Sequence, residues 1–156
     1  MKKVLVDVNV VLDVLLARAP HAAASTACLA VIEARRVEGF LSAHAVTTLA
    51  YLVGRARGKA EARKVVQDLC ALFTIASVDE VVIQRAIVLS LDDFEDAVTA
   101  AAAEAAGCEA ILTRDAAGRK VAQDVPGSDF DIELETLVLA ISQAPVLDLF
   151  GATQPE

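Results

Sequence analysis

A single α/β domain, with a mostly parallel sheet between helical layers, is the fold this sequence predicts, and three observations predict it. Short, unbroken aliphatic and β-branched runs such as VLVDV (4–8) and EAILT (109–113) read as strands covered on both faces. Alanine- and leucine-rich stretches long enough for helices lie between them, so the two kinds of element alternate. The 156-residue length and 56% hydrophobic content suit one core and leave little room for a second. Residues 1–143 are therefore read as one domain, and 144–156, which carries two prolines, as a loosely packed tail.

Taken in order, VLVDV is the first strand, and a helix from about Asn9 to Arg18 follows it and ends before Pro20. An alanine-rich helix from His21 to about Val37 leads into a second strand, EGFLSA (38–43). A helix over His44–Arg55, a break at Gly58 and an amphipathic helix from Lys59 to about Phe73 come next, then TIASV (74–78) as a strand. Asp79 has the chemistry to cap a helix reaching about Leu91. Asp92 or Asp93 has it for one reaching Ala106, where Gly107 supplies the left-handed end. After the EAILT strand a polar loop with a Pro-Gly turn runs to FDIEL (130–134), read as a strand, and the final apolar stretch from about Glu135 to Ser142 reads as a helix.

The opening MKKVLVDVNVVLDVLL begins as a secretory signal would, but Asp7, Asn9 and Asp13 interrupt its apolar run and no small-residue cleavage site follows. No stretch reaches the roughly 18 uncharged apolar residues of a membrane helix, so a soluble, cytoplasmic protein is expected. Cys28, Cys70 and Cys108 are odd in number and widely spaced, and read as reduced core residues, not as disulfides or metal ligands. His21 and His44 are isolated and read as ordinary structural residues. The net charge of −8 argues against a nucleic-acid partner unless the acids gather in a cation site and the bases gather beside it.

In parallel α/β sheets, functional groups collect at the carboxyl ends of the strands. Asp7 ends the first strand, Asp115 lies two residues past EAILT, and Asp96 falls in the first turn of the helix that starts near Asp93. Two carboxylates about 4 Å apart repel by roughly 4 kcal/mol at an effective dielectric of 20, so such a gathering calls for protons or a hard cation. Each acid has a simpler reading. Asp7 could only cap the first helix, DDFED could only cap and complement a helix dipole, and Asp115 could be a turn residue. Asn9 and Asp13 are one helical turn apart on the same side, Asn9 as an orienting group and Asp13 as a more distant acid or a solvated surface residue. Thr113 is placed to position Asp115 or a water. Arg55, Arg57, Lys59, Arg63 and Lys64 form a local basic cluster, either a solvated helix face or a contact for a phosphate backbone.

VLVDVNVVLDVLLARAP, GFLSAHAVTTLAYLV and LDDFEDAVTAAAAEAAGCEAILTRD resemble, in order and spacing, the PIN domain, and most of all a bacterial branch with a DFEDA block related to VapC-type toxins. The resemblance covers about residues 3 to 115. It implies a five-stranded α/β/α sandwich, an acidic pocket for Mg²⁺ or Mn²⁺, and hydrolysis of RNA. By position it makes Asp7, Asp96 and Asp115 the metal-binding catalytic acids; beside them Asn9, Asp13, Glu95 and Thr113 are read as supporting residues, and Arg55, Arg57, Lys59 and Arg114 as contacts for RNA. It further implies a homodimer and a cognate antitoxin protein. The chain departs from the family at two places: Thr48 occupies the position of the second acid, with Glu95 or Asp13 available to compensate, and AAGR follows TRD where an acid and Phe are usual.

A dehalogenase-like phosphatase would need an acid at Asn9, and a receiver domain would need its phosphoacceptor at the end of TIASV; the sequence has neither. The stronger alternative is a PIN-like module that binds RNA or protein with a weak or inactive site, for which Thr48 argues.

Overall fold

The computed structural model describes residues 1–113 and the backbone of 137–140. Arg114, Asp115, the polar loop, FDIEL and the tail 144–156 lie outside the described residues.

A five-stranded sheet with the order β3-β2-β1-β4-β5 forms the middle of the molecule. β1 (Lys3–Val6), β2 (Glu38–Ser42), β3 (Thr74–Ala76) and β4 (Ala110–Thr113) are mutually parallel, and β5 (Leu137–Ala140) pairs antiparallel with β4. The expectation of a mostly parallel sheet holds. The expected helix at Glu135–Ser142 does not, because Leu137–Ala140 is a strand. An apolar run this short fits either element by itself, and pairing with the open edge of β4 decides for the strand.

The helices α1 (Val8–Leu15), α2 (Ala22–Glu33), α3 (Ala43–Arg57) and α4 (Lys59–Leu72) bury aliphatic side chains with Val4, Val6, Leu41, Ala110 and Leu112 on one sheet face. Helices α5 (Glu80–Leu89) and α6 (Phe94–Ala105) cover the other, where Leu5, Phe40 and Ala76 meet Ala97, Val98, Ala101, Ala102 and Ala103. The alternation of Leu5 and Val6 between these clusters is the two-residue period of a strand buried on both sides.

Local signals act where they were expected. The Asp79 carboxylate accepts from the Val82 N–H at 3.0 Å, and Asp93, not Asp92, accepts from the N–H groups of Glu95 at 2.8 Å and Asp96 at 3.3 Å. Gly107, at φ 69°, turns the chain out of α6. The helix expected to reach Val37 ends at Glu33, since Arg35 at φ 57° breaks it. All three cysteines are free, but Cys70 is exposed, which corrects its reading as a core residue: α4 buries Leu69, and the next residue lies about 100° round the helix. No described helix is long and apolar enough to cross a membrane.

Candidate functional site

Strand order reverses between β1 and β4, and the carboxyl ends of these strands flank the crevice where ligands of parallel α/β sheets bind. Register places residues there. Leu5 pairs with Phe40 and Val6 with Leu112, so continuing each pairing sets Asp7 beside Ser42 on one side and Thr113 on the other. The Asp7 N–H donates to the Leu112 carbonyl at 2.9 Å, and the Thr113 hydroxyl donates to Asp7 Oδ2 at 2.9 Å. By strand alternation Ser42, Asp7 and Thr113 share the face of Phe40, Leu5 and Ile111, the face that α6 covers.

Because α6 leads into a parallel strand, it runs against the strands and starts at their carboxyl edge. Its first turn brings Glu95, exposed, and Asp96, half-buried, to that edge. Asp7 stands at the N-cap position of α1, yet its side chain makes no capping bond; the simpler reading of Asp7 as a cap thus lacks the contact that would define it. Asn9 is half-buried in the same first turn. Asp13 is fully buried and accepts a 3.2 Å hydrogen bond from Ser25 of α2, so it is no solvated surface residue.

Thr48 donates its hydroxyl to the His44 carbonyl at 3.2 Å, a bond within its own helix that bends the side chain back on the preceding turn. His44, read from sequence as an ordinary structural residue, also stands at this edge. It lies in the first turn of α3, two residues past the end of β2, with Nε2 3.9 Å from Glu95 Oε1 across the edge. Burial pushes its imidazole pKa down, while the carboxylates of Glu95 and Asp7 pull it up. Both carboxylates therefore lie within electrostatic reach of one ring. Its position just past a strand end was the available signal, but nothing local distinguishes it from a histidine in any helix.

Ser42 Oγ and both ring nitrogens of His44 are buried and make no hydrogen bond among the described residues. A buried polar atom left unsatisfied costs about 1–3 kcal/mol, so these three atoms suit a polar ligand held at the edge. Among the described residues no group of three or more His, Cys, Asp or Glu side chains is gathered to hold a metal ion by itself. A cation that keeps several waters needs only one or two carboxylates, and Asp7 with the orphaned neighbouring atoms fits that kind of binding.

The basic cluster is elsewhere. α3 starts at the carboxyl edge and its 15 residues carry it about 22 Å away, at 1.5 Å per residue, so Arg55 and Arg57 are at the far end with Lys59 just beyond. All three are exposed, and Arg55 also lies against Tyr51, donating to its hydroxyl at 3.3 Å.

A search of curated proteins finds no match to this chain. Residues 3–117, however, match the family model described as PIN domain, a span that contains the whole described edge and most of the sheet. PIN domains are generally nucleases and typically use divalent metals. On that match, which covers well over half of its length, the chain belongs to the PIN domain family.

Proposed function

We propose that the chain is a Mg²⁺- or Mn²⁺-dependent endoribonuclease that hydrolyses phosphodiester bonds, and that it serves as the toxin of a toxin–antitoxin pair. The observation that carries the reading is Asp7, held by Thr113 at the crevice where strand order reverses, on the sheet face covered by α6, whose first turn bears Asp96. Asp7 and Asp96 act as metal-binding acids, joined by Asp115 from the segment after Thr113. When bound, the cation would orient the scissile phosphate, acidify a water and offset developing charge. Thr113 holds the carboxylate of Asp7 in place through Oδ2. Asn9 and Glu95 orient the waters around the acids, and buried Asp13 braces α1 against α2 beneath them. Arg55, Arg57 and Lys59, with Arg114, hold the phosphate backbone, which lets one RNA strand lie along α3 from the acids to the bases. The exposed apolar side chains Val81, Ile87 and Val88 on α5 suit a protein partner, a second copy or an antitoxin.

Thr48 favours a second reading, a PIN-like module that binds RNA or protein with little or no cleavage, since its hydroxyl is turned back on its own helix and carries no charge. One assay separates the two. Purified protein with either metal is expected to cut single-stranded or structured RNA, and Asp7→Asn or Asp96→Asn to lower the rate about a hundredfold or more, roughly 2.7 kcal/mol of transition-state stabilisation. RNA that is bound but not cut, with neither substitution affecting metal binding, would leave the module reading in place.

A further inference from the structure

We propose that His44 is a nitrogen ligand of the cation bound at Asp7, and that this ligand makes the site prefer Mn²⁺ and later transition ions over Mg²⁺. The inference rests on the proposed metal site and deepens it by naming the donor set and the class of ion.

Four observations carry it. First, His44 lies two residues past the end of β2 at the carboxyl edge, with Nε2 3.9 Å from Glu95 Oε1 of α6, and so at the rim of the same crevice. Second, both of its ring nitrogens are buried and lack a hydrogen-bond partner among the described residues. A neutral imidazole always has one nitrogen lone pair to satisfy, and at 3.9 Å Glu95 is beyond hydrogen-bond distance. Third, Ser42 is only 1% exposed and its hydroxyl is also unpartnered; register sets it directly beside Asp7. Buried unsatisfied atoms thus come from two side chains on one short segment, Ser42–His44, at one place on the sheet edge. Fourth, Thr48, one turn along the same helix face, spends its hydroxyl on the His44 carbonyl and offers nothing to the crevice.

A cation satisfies these atoms together. One ring nitrogen ligates it, the other closes by about 1 Å on Glu95 and shares its proton, as ligating histidines ordinarily do with a carboxylate. Ser42 is left to hold a cation-bound water. An ordinary His–Glu ion pair explains less, because 3.9 Å is too long for the hydrogen bond such a pair makes and because it leaves Ser42 unexplained. The consequence for selectivity follows from donor type: Mg²⁺ takes oxygen ligands and holds its water tightly, whereas imidazole binds increasingly well along the transition series.

The test uses the whole protein and Mn²⁺ or Mg²⁺ alone, without RNA. Pulsed electron paramagnetic resonance of the Mn²⁺-loaded protein is expected to show coupling to ¹⁴N, lost in His44→Ala and His44→Gln. Calorimetric titration is expected to show Mn²⁺ affinity falling about tenfold or more in both variants, with Mg²⁺ affinity changing much less. The wild-type spectrum needs no variant to fold, and thermal melts check the two that are made. Absence of ¹⁴N coupling in the wild type overturns the proposal, as does an unchanged preference for Mn²⁺ in His44→Ala or failure of Mn²⁺ to bind at all. Coupling to ¹⁴N in a protein that cuts no RNA would support His44 as ligand while refuting the nuclease reading. Metal-dependent cleavage without ¹⁴N coupling would do the reverse.

Discussion

The two faces of the sheet are built from different materials. On the α1–α4 face most of the core is Val, Leu, Ile and Phe, joined by Cys28, Ala45, Ala62 and Ala110, with Val4, Val6, Leu41 and Leu49 all at most 1% exposed. On the α5–α6 face, small residues dominate the helix contribution: Ala97, Ala101, Ala102 and Ala103 meet Leu5 and Phe40. Bulk on one face supplies most of the burial free energy, at about 0.8 kcal/mol for each buried methylene. Smallness on the other lets α6 lie close to the sheet, and α6 is the helix whose first turn carries the acids to the crevice. Stability and placement are thus divided between faces, a division that substitutions can separate.

The largest effect on stability is expected on the first face. Leu49→Ala should cost about 2–5 kcal/mol in denaturant unfolding through lost transfer free energy and the cavity left behind. Cleavage per folded molecule should change less than on the other face, because Leu49 packs in the core that α6 does not join. On the second face, Ala101→Leu should cost about 1–3 kcal/mol by overpacking. It should also lower metal affinity, since the only relief is for α6 to move off the sheet and take Asp96 with it. If Leu49→Ala disturbs metal binding as much as Ala101→Leu does, the division between the faces is wrong.

What could be seen in the sequence was what is decided locally. The VLVDV and EAILT runs need only their own β-branched composition to read as buried strands, and Asp79, Asp93 and Gly107 act through bonds within a few residues of themselves. What was missed depends on contacts distant in sequence. Leu137–Ala140 is a strand because β4 offers an edge to pair with. His44 approaches Glu95 because α6, some fifty residues later, brings that carboxylate to the same edge. Asp13 could be placed on a helix side but not assigned as buried, because that depends on Ser25 arriving from α2. Asp115 was read from sequence as the last acid of the site, and lies outside the described residues.

The smallest effect is the most discriminating. Asp7 and Asp93 occupy the same kind of position, the N-cap of a helix at the carboxyl edge, but only Asp93 caps. Removing two N–H partners by Asp93→Ala should cost about 1 kcal/mol of stability and reduce cleavage only as far as the first turn of α6 frays. Asp7→Asn keeps the shape and an oxygen for Thr113 and gives up no capping bond, so its stability should fall by less than that of Asp93→Ala. Its cleavage should nonetheless fall about a hundredfold or more. Paired unfolding curves and rates for these two variants therefore ask whether a helix-capping aspartate and a ligand-binding one can be told apart by contact alone. A large loss of stability in Asp7→Asn would mean that Asp7 holds the fold together and that its bond to Thr113 is structural.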